Sequence, residues 1–493
     1  MAKDTEHDGS AYSTEPLHVR MLDDETLKSF WEFATTVRRT QSLANRESVK
    51  LRGAWISPGL AVQRVHGWGI RSVRLLCVSA STEEQCQRLR AFFHRDRRNM
   101  DGKLVHTIDP LDREHRVLVK IPFEAGLDSW VQHERHVLKD LNGIQGVPKI
   151  GQALYFEDIG IHAATYDYID GPSLQENLEK GKIEPQEHTH SILSHMLTTL
   201  RDAHASGWLH TDLSAKDVIL PASNADNIGL ICGWSRAVRC QEAVNPGASM
   251  VEFARGLPAE FTAEVDEGCG NSKESIETLT DEGVTRDQAA LREDLGEGFP
   301  SVREVAAPSI YAAPEQFLGL FAGIPCVTPA TDVYRAAAIA LMATCGSAPL
   351  GVQGTPVDRN AAPQINALRR LCRHAIQRRA EYGERGLLPA KAEVVAFADS
   401  LEKLVSGSSN LAGCKAPELT VWFSRALTRE SAARIQTPSD ALEELDSAWS
   451  EYEIRLARES RAMEEQFPSK KEEQKRNRIV FEPPPELAEM TVL

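Results

Sequence analysis

Two carboxylates five residues apart, Asp212 and Asp217, follow a histidine in the stretch His210-Thr211-Asp212-Leu213-Ser214-Ala215-Lys216-Asp217-Val218-Ile219-Leu220. Carboxylate oxygens suit a hard cation such as Mg2+. Lys120 ends the apolar run Val117-Leu118-Val119, where a lysine either snorkels from a sheet edge or carries its charge into a site. Gly67-x-Gly69 sits between two β-branched stretches. Glycines there would let backbone approach a phosphate, and a simple turn is the competing reading. Nine cysteines occur without any C-x-x-C pair, which argues against structural zinc and for reduced thiols in a cytosol-like compartment. Arg88 to Arg98 mixes arginines with Phe92 and Phe93. This stretch reads as the solvated face of a helix, or as a patch able to bind nucleic acid or an acidic segment such as residues 252–298.

The elements that must position these groups change character along the chain. Residues 1–16 read as a polar, disordered leader that lacks the features of a signal peptide. From Asp23 to Arg39, Leu27, Phe30, Trp31, Ala34 and Val37 share one helical face, expected to pack on the body of the protein. Strands are expected over 60–80, with a turn near Gly67 to Val73, then at 115–121, 149–154 and 162–169; helices are expected at 82–96 and 128–141. Beyond Asp170-Gly171-Pro172 the pattern is mainly helical, at 188–206, 332–345, 361–380, 390–405 and 417–428. Strand-rich followed by helix-rich sequence suggests an α+β protein in two lobes. Residues 241–305 lack sustained periodicity, and 252–298 hold thirteen Asp/Glu against four Lys/Arg, which reads as an acidic insertion. A charged helix is expected from Ala448 to Arg478, before an extended Pro-rich tail.

The 493 residues carry 42% hydrophobic and 26% charged side chains and a net charge of −15. At about 150 residues per domain that is material for roughly three domains. The acidic balance makes general nucleic-acid binding an unfavoured function. No apolar stretch reaches the ~20 residues of a membrane span, so the sequence reads as cytoplasmic and free of the membrane.

Taken together, the motifs resemble the eukaryotic-type protein kinase family over roughly residues 60–447. His210, Asp212, Leu213 and position 217 match the catalytic loop H-R-D-L-x-x-x-N. Val117-Leu118-Val119-Lys120 resembles the V-A-I-K strand. Gly67 and Gly69 resemble the glycine-rich loop, and Tyr166 to Leu174 the hinge, with Tyr168 within it. Tyr311-Ala312-Ala313-Pro314-Glu315 resembles A-P-E, Asp332-Val333-Tyr334 the start of the central helix, and Arg434 the arginine that pairs with the A-P-E glutamate. The resemblance implies a bilobal fold with a small β-rich N-lobe, a larger helical C-lobe and an acidic insertion in the activation segment. The units would be a leader and amphipathic helix at 1–59, an N-lobe at 60–165 with an insertion at about 82–114, a C-lobe at 166–447 with its insertion at 241–305, and a charged tail at 448–493. It also implies Asp212 as the base, Glu134 as the partner of Lys120, and an ATP site that includes Lys120, Glu134, Gly67, Gly69 and Tyr168. His210, Glu315, Asp332 and Arg434 would be structural.

The match fails in three places. Thr211 stands for the catalytic-loop arginine, Asp217 for the magnesium-binding asparagine, and no aspartate fits D-F-G. Around Ile228 to Arg236, either Ile231 or Cys232 falls where that aspartate belongs. Mg2+ would lose its main ligand, with Asp217 left as the candidate. The expected protein is therefore a degraded kinase, a pseudokinase acting on protein partners in signalling or scaffolding, with ATP binding left open. The alternative is a divergent Ser/Thr kinase that phosphorylates a protein substrate. Ser214 replaces the lysine usual in Ser/Thr kinases, so hydroxyl specificity stays open. A small-molecule phosphotransferase is disfavoured by the Glu315 and Arg434 match. Nothing in the sequence fixes an oligomeric state.

Overall fold

A computed structural model describes residues 16–19, 28, 30, 32, 51, 54–57, 60–68, 72–80, 82–98, 116–123, 128–180, 186–220, 230–257, 310–346, 367–372, 374–375, 389–405, 411, 414, 416–428 and 430–466. The strand-rich part is one seven-stranded sheet built from β1 (Leu17–Val19), β2 (Trp55–Ser57), β3 (Leu60–Trp68), β4 (Ser72–Ser79), β5 (Arg116–Pro122), β6 (Ile150–Phe156) and β7 (Ile161–Asp167). Their order is β1-β6-β7-β5-β4-β3-β2. β1 runs parallel to β6, and the remaining neighbours are antiparallel. Two short strands before residue 60 thus join the sheet, where the sequence suggests only a leader and a helix. Helix α1 (Glu83–Arg98) follows β4, and α2 (Asp128–Asp140) follows β5.

Strand alternation gives the sheet two faces. Val73, Leu75, Cys77, Val119 and Ile121 point to one side and form an apolar cluster with Phe30, Phe123 and Phe156. Phe30 is buried there, its ring 6.5 Å from Phe123, as the amphipathic reading of 23–39 requires; Leu27, Trp31, Ala34 and Val37 lie outside the described residues. The opposite face carries Arg74, Lys120 and Leu118, and Leu118 packs against the helical part.

Helices α3 (Leu174–Glu179), α4 (Gln186–Ala205), α5 (Met250–Gly256), α6 (Pro314–Ala322), α7 (Pro329–Cys345), α8 (Lys391–Val405), α9 (Pro417–Ala426) and α10 (Pro438–Gln466) are the main helices of the described residues that follow. α7 is the axis. Every residue from Ala330 to Ala343 is buried, and its many alanines let α4, α9 and α10 approach closely. Short pairs β8 (Trp208–Leu209) with β11 (Val238–Arg239), and β9 (Val218–Ile219) with β10 (Leu230–Ile231), frame the segment between the sheet and α7. Among the described residues no helix is long and apolar enough to cross a membrane.

Two boundaries differ from expectation. The stretch 241–305 is not featureless throughout: Ser249 caps α5, its side chain accepting from the Glu252 amide, a serine-to-glutamate capping signal. The remainder of the acidic stretch, 258–305, lies outside the described residues. The long charged helix starts at Pro438, ten residues before the expected Ala448, because the Thr437 hydroxyl accepts from the Asp440 amide at 3.1 Å. Residues 367–372 are helical within the expected 361–380.

Candidate functional site

The site lies where the Lys120 face of the sheet meets the loops around α7. β5 presents Lys120 and α2 presents Glu134, and the ammonium and carboxylate meet at 2.5 Å with little solvent on either. Tyr166 donates to the same Glu134 oxygen at 3.2 Å. Burial, reinforced by the Glu134 charge, pushes the Tyr166 phenol up, so it stays a donor.

His210 to Asp217 hangs from Asp332. One Asp332 oxygen accepts from the His210 amide at 2.8 Å and from His204 Nε2 at 2.9 Å; the other accepts from the Thr211 amide at 2.8 Å. Burial works to raise this carboxyl, but the His204 hydrogen bond and the charges and amide around it prevail, and it sits below the carboxylate range. Thr211 has φ 61°, the one positive-φ residue other than glycine among the described residues. A β-branched side chain resists that conformation at a cost on the order of 1–2 kcal/mol. It is held by the Asp332 contact, by Gln316 Nε2 donating to its carbonyl at 2.6 Å, and by its own hydroxyl donating to the Arg236 carbonyl at 2.7 Å.

Asp212 is partly exposed and held between two arginines. One oxygen lies 3.3 Å from Arg236 Nη1 and the other 3.3 Å from Arg335 Nη2. Burial tends to raise its carboxyl, and the Arg236 and Arg335 charges outweigh that, holding it low. Arg335 is itself fixed, donating to Gln316 Oε1 and to the Leu213 carbonyl, each at 2.7 Å.

Cys232 lies in the loop after β10 (Leu230–Ile231). Its carbonyl accepts from His210 Nε2 at 2.9 Å and its amide donates to the Asp217 carbonyl at 2.8 Å. Burial first, then the Asp217 charge, pushes its thiol up to about 12, with Arg74, Glu134 and Lys120 close enough to act on it. Ile231 is buried in the apolar cluster instead. Of the two positions open in the sequence, Cys232 is the one electrostatically coupled to Asp217, Arg74, Glu134 and Lys120. Asp217 accepts from the Ser214 hydroxyl at 2.5 Å, and burial raises its carboxyl. It rests on Gly233, where a Cβ would come within 2.7 Å of Oδ1 and where φ is +83°; only glycine suits that position.

A Mg2+ ion needs near-octahedral oxygen ligation. Asp217 offers one carboxylate, one oxygen of which accepts from Ser214, and Cys232 a protonated sulfur. Among the described residues no three His, Cys, Asp or Glu side chains converge to hold a metal. The described residues thus offer a Mg2+ ion one protein carboxylate, Asp217, with a thiol where a second would stand.

Gly67 lies in β3, paired with Arg74 across a bulge; Gly69 is outside the described residues. Tyr168 follows β7, taking a hydrogen bond from Arg64 at 3.4 Å and lying 5.8 Å beneath the Arg116 guanidinium. Glu315 and Arg434 meet as a buried two-pronged pair at 2.8 and 3.2 Å. The basic stretch forms the second half of α1, with Arg90 lying 5.3 Å over Trp55.

Sequence reasoning does not single out Arg236 or Arg335. A signal for Arg335 exists: it is the single charge between Val333 and Cys345 in an otherwise apolar helix, and a buried charge needs a partner. Arg74 leaves no such signal.

No family model matches the chain, and no curated protein does. Among solved structures it is similar to the kinase domain of Mycobacterium tuberculosis PknI, at 14% identity over 79% of this chain and 96% of that one, with a TM-score of 0.39. At this overlap the likeness says nothing about activity. The mixed α+β architecture, a sheet followed by a helical part, is compatible with a kinase-like arrangement.

Proposed function

We propose that this chain is a kinase-like protein that has lost phosphoryl transfer and works as a pseudokinase, binding nucleotide in its cleft and protein partners in signalling or scaffolding. The observation that carries the reading is Cys232, a protonated thiol electrostatically coupled to the Lys120–Glu134 pair. Phosphoryl transfer relies on positioning and on cation charge across the β- and γ-phosphates. Loss of one preorganised electrostatic element costs about two to three orders of magnitude in rate. Arg236 and Arg335, each 3.3 Å from an Asp212 oxygen, favour its ionised form and disfavour its taking a substrate proton.

The alternative, a slow divergent Ser/Thr kinase, draws support from the intact Lys120–Glu134 pair and from the anchoring of the loop by Asp332. Radiolabel transfer from γ-labelled ATP to the chain or to a generic protein substrate, with Asp212→Asn alongside, separates the two. The expected result is equal background in both proteins. Transfer by the native chain that Asp212→Asn abolishes would favour the kinase.

A further inference from the structure

We propose that the cleft holds the phosphates of a nucleoside triphosphate without a metal ion, with Arg74 supplying beside Lys120 the positive charge that a cation would bring. The inference rests on the nucleotide-binding part of the reading above.

Arg74 on β4 pairs directly with Lys120 on β5. Both point away from the apolar cluster that takes Val73, Leu75, Val119 and Ile121, so both face the cleft. Like charges directly opposite one another on neighbouring strands are destabilising. Lys120 is relieved by Glu134 at 2.5 Å. Arg74 is exposed, and among the described residues no carboxylate forms an ion pair with it. Its charge nevertheless reaches the Cys232 thiol, as does the opposite charge of Asp217. The same guanidinium acts on His66, which burial, then Arg74, then Arg64 lower to about 4. Arg74 therefore stands beside Lys120 on the face of the sheet opposite the apolar cluster.

The chemistry is self-consistent. A carboxylate at position 232 would recruit a cation to bridge the phosphates. With a neutral thiol there, a polyphosphate must be met by fixed positive groups, and a guanidinium presents a planar fork of donors suited to phosphate oxygens. An anion between Arg74 and Lys120 also removes their mutual repulsion.

The test is calorimetric titration of the full chain with ATP, in excess EDTA and in millimolar Mg2+, for the native protein and for Arg74→Ala. Arg74 is exposed on a strand, so the variant is expected to fold, and its circular dichroism and melting curve check this. The expected result is an affinity that differs less than twofold between EDTA and Mg2+, and that falls at least tenfold in Arg74→Ala under EDTA. Binding that strengthens tenfold or more with Mg2+, binding indifferent to Arg74→Ala, or absence of ATP binding would each overturn the proposal. None of these outcomes by itself restores phosphoryl transfer, so the non-catalytic reading is tested separately by the radiolabel assay.

Discussion

Replacing Arg434 with alanine should strongly destabilise the helical part. The guanidinium is fully buried and Glu315 nearly so. Arg434 donates to the two Glu315 oxygens at 2.8 and 3.2 Å, to the Ala330 carbonyl at 3.2 Å and to the Thr428 carbonyl at 2.9 Å. It also lies 4.7 Å over the Tyr334 ring. Its removal leaves Glu315 with the Thr331 hydroxyl, at 2.8 Å, as a side-chain donor, and leaves two carbonyls without the guanidinium. Removing one partner of a buried pair costs about 3–5 kcal/mol. At the ~2 °C per kcal/mol of a larger domain, the melting temperature should fall by roughly 6–10 °C. Urea titration followed by tryptophan fluorescence gives the free energy directly. Glu315→Gln combined with Arg434→Met removes both charges, so the double variant should lose less than the sum of the singles by at least ~1 kcal/mol. A loss below about 1 kcal/mol for Arg434→Ala, or strict additivity in the double variant, would refute the assignment of this pair as the tie between α6, α7 and the segment before α10.

Three further outcomes are expected at and around the cleft. Cys232→Asp places a second carboxylate near Asp217, so thermal shift with ATP should acquire a Mg2+ dependence absent from the native chain; an unchanged, metal-independent shift would contradict the placement of Cys232. His66 has a folded-state pKa lowered to about 4, below its ordinary value near 6.5, so between those values the unfolded chain binds the extra proton and stability must fall as pH drops through that window. The contribution is bounded by about 1.4 kcal/mol per pH unit and reduced by partial exposure; urea titrations at pH 7, 6 and 5 should show a smaller decline in His66→Gln, and an equal decline would contradict the shift. Arg335→Met strips the buried partner from Asp212 and the donor from Gln316 and the Leu213 carbonyl, which should cost about 3 kcal/mol in a urea titration; a loss under about 1 kcal/mol would show that Arg335 does not hold the loop.

Much of this architecture is legible in the residues because it is local. The alternating apolar runs 72–79 and 116–122 are strands, and the 128–140 and 186–205 patterns are helices. The Lys120–Glu134 and Glu315–Arg434 contacts are legible because both partners belong to motifs of fixed type and order. What escapes the sequence is nonlocal or short. Leu17–Val19 and Trp55–Ser57 span three residues each, too few for any period, and owe their existence to β6 and β3. The register at Cys232 depends on His210 reaching its carbonyl from a loop twenty-two residues away. The arginines on Asp212 come from separate elements, one from the turn after β10 and one from the middle of a buried helix. The positive φ of Thr211 is imposed by Asp332 and Gln316 and opposes the residue's own preference.

On the proposed reading, Asp217 offers a cation one carboxylate, and Cys232 stands where a second would be expected. Crystals of the full chain soaked with ATP and Mn2+, with anomalous data collected at the manganese edge, test this directly. The expected map has no anomalous peak between Asp217 and Cys232, and phosphate oxygens beside Arg74 and Lys120. A manganese peak held there by two protein carboxylates would contradict the loss of the metal site.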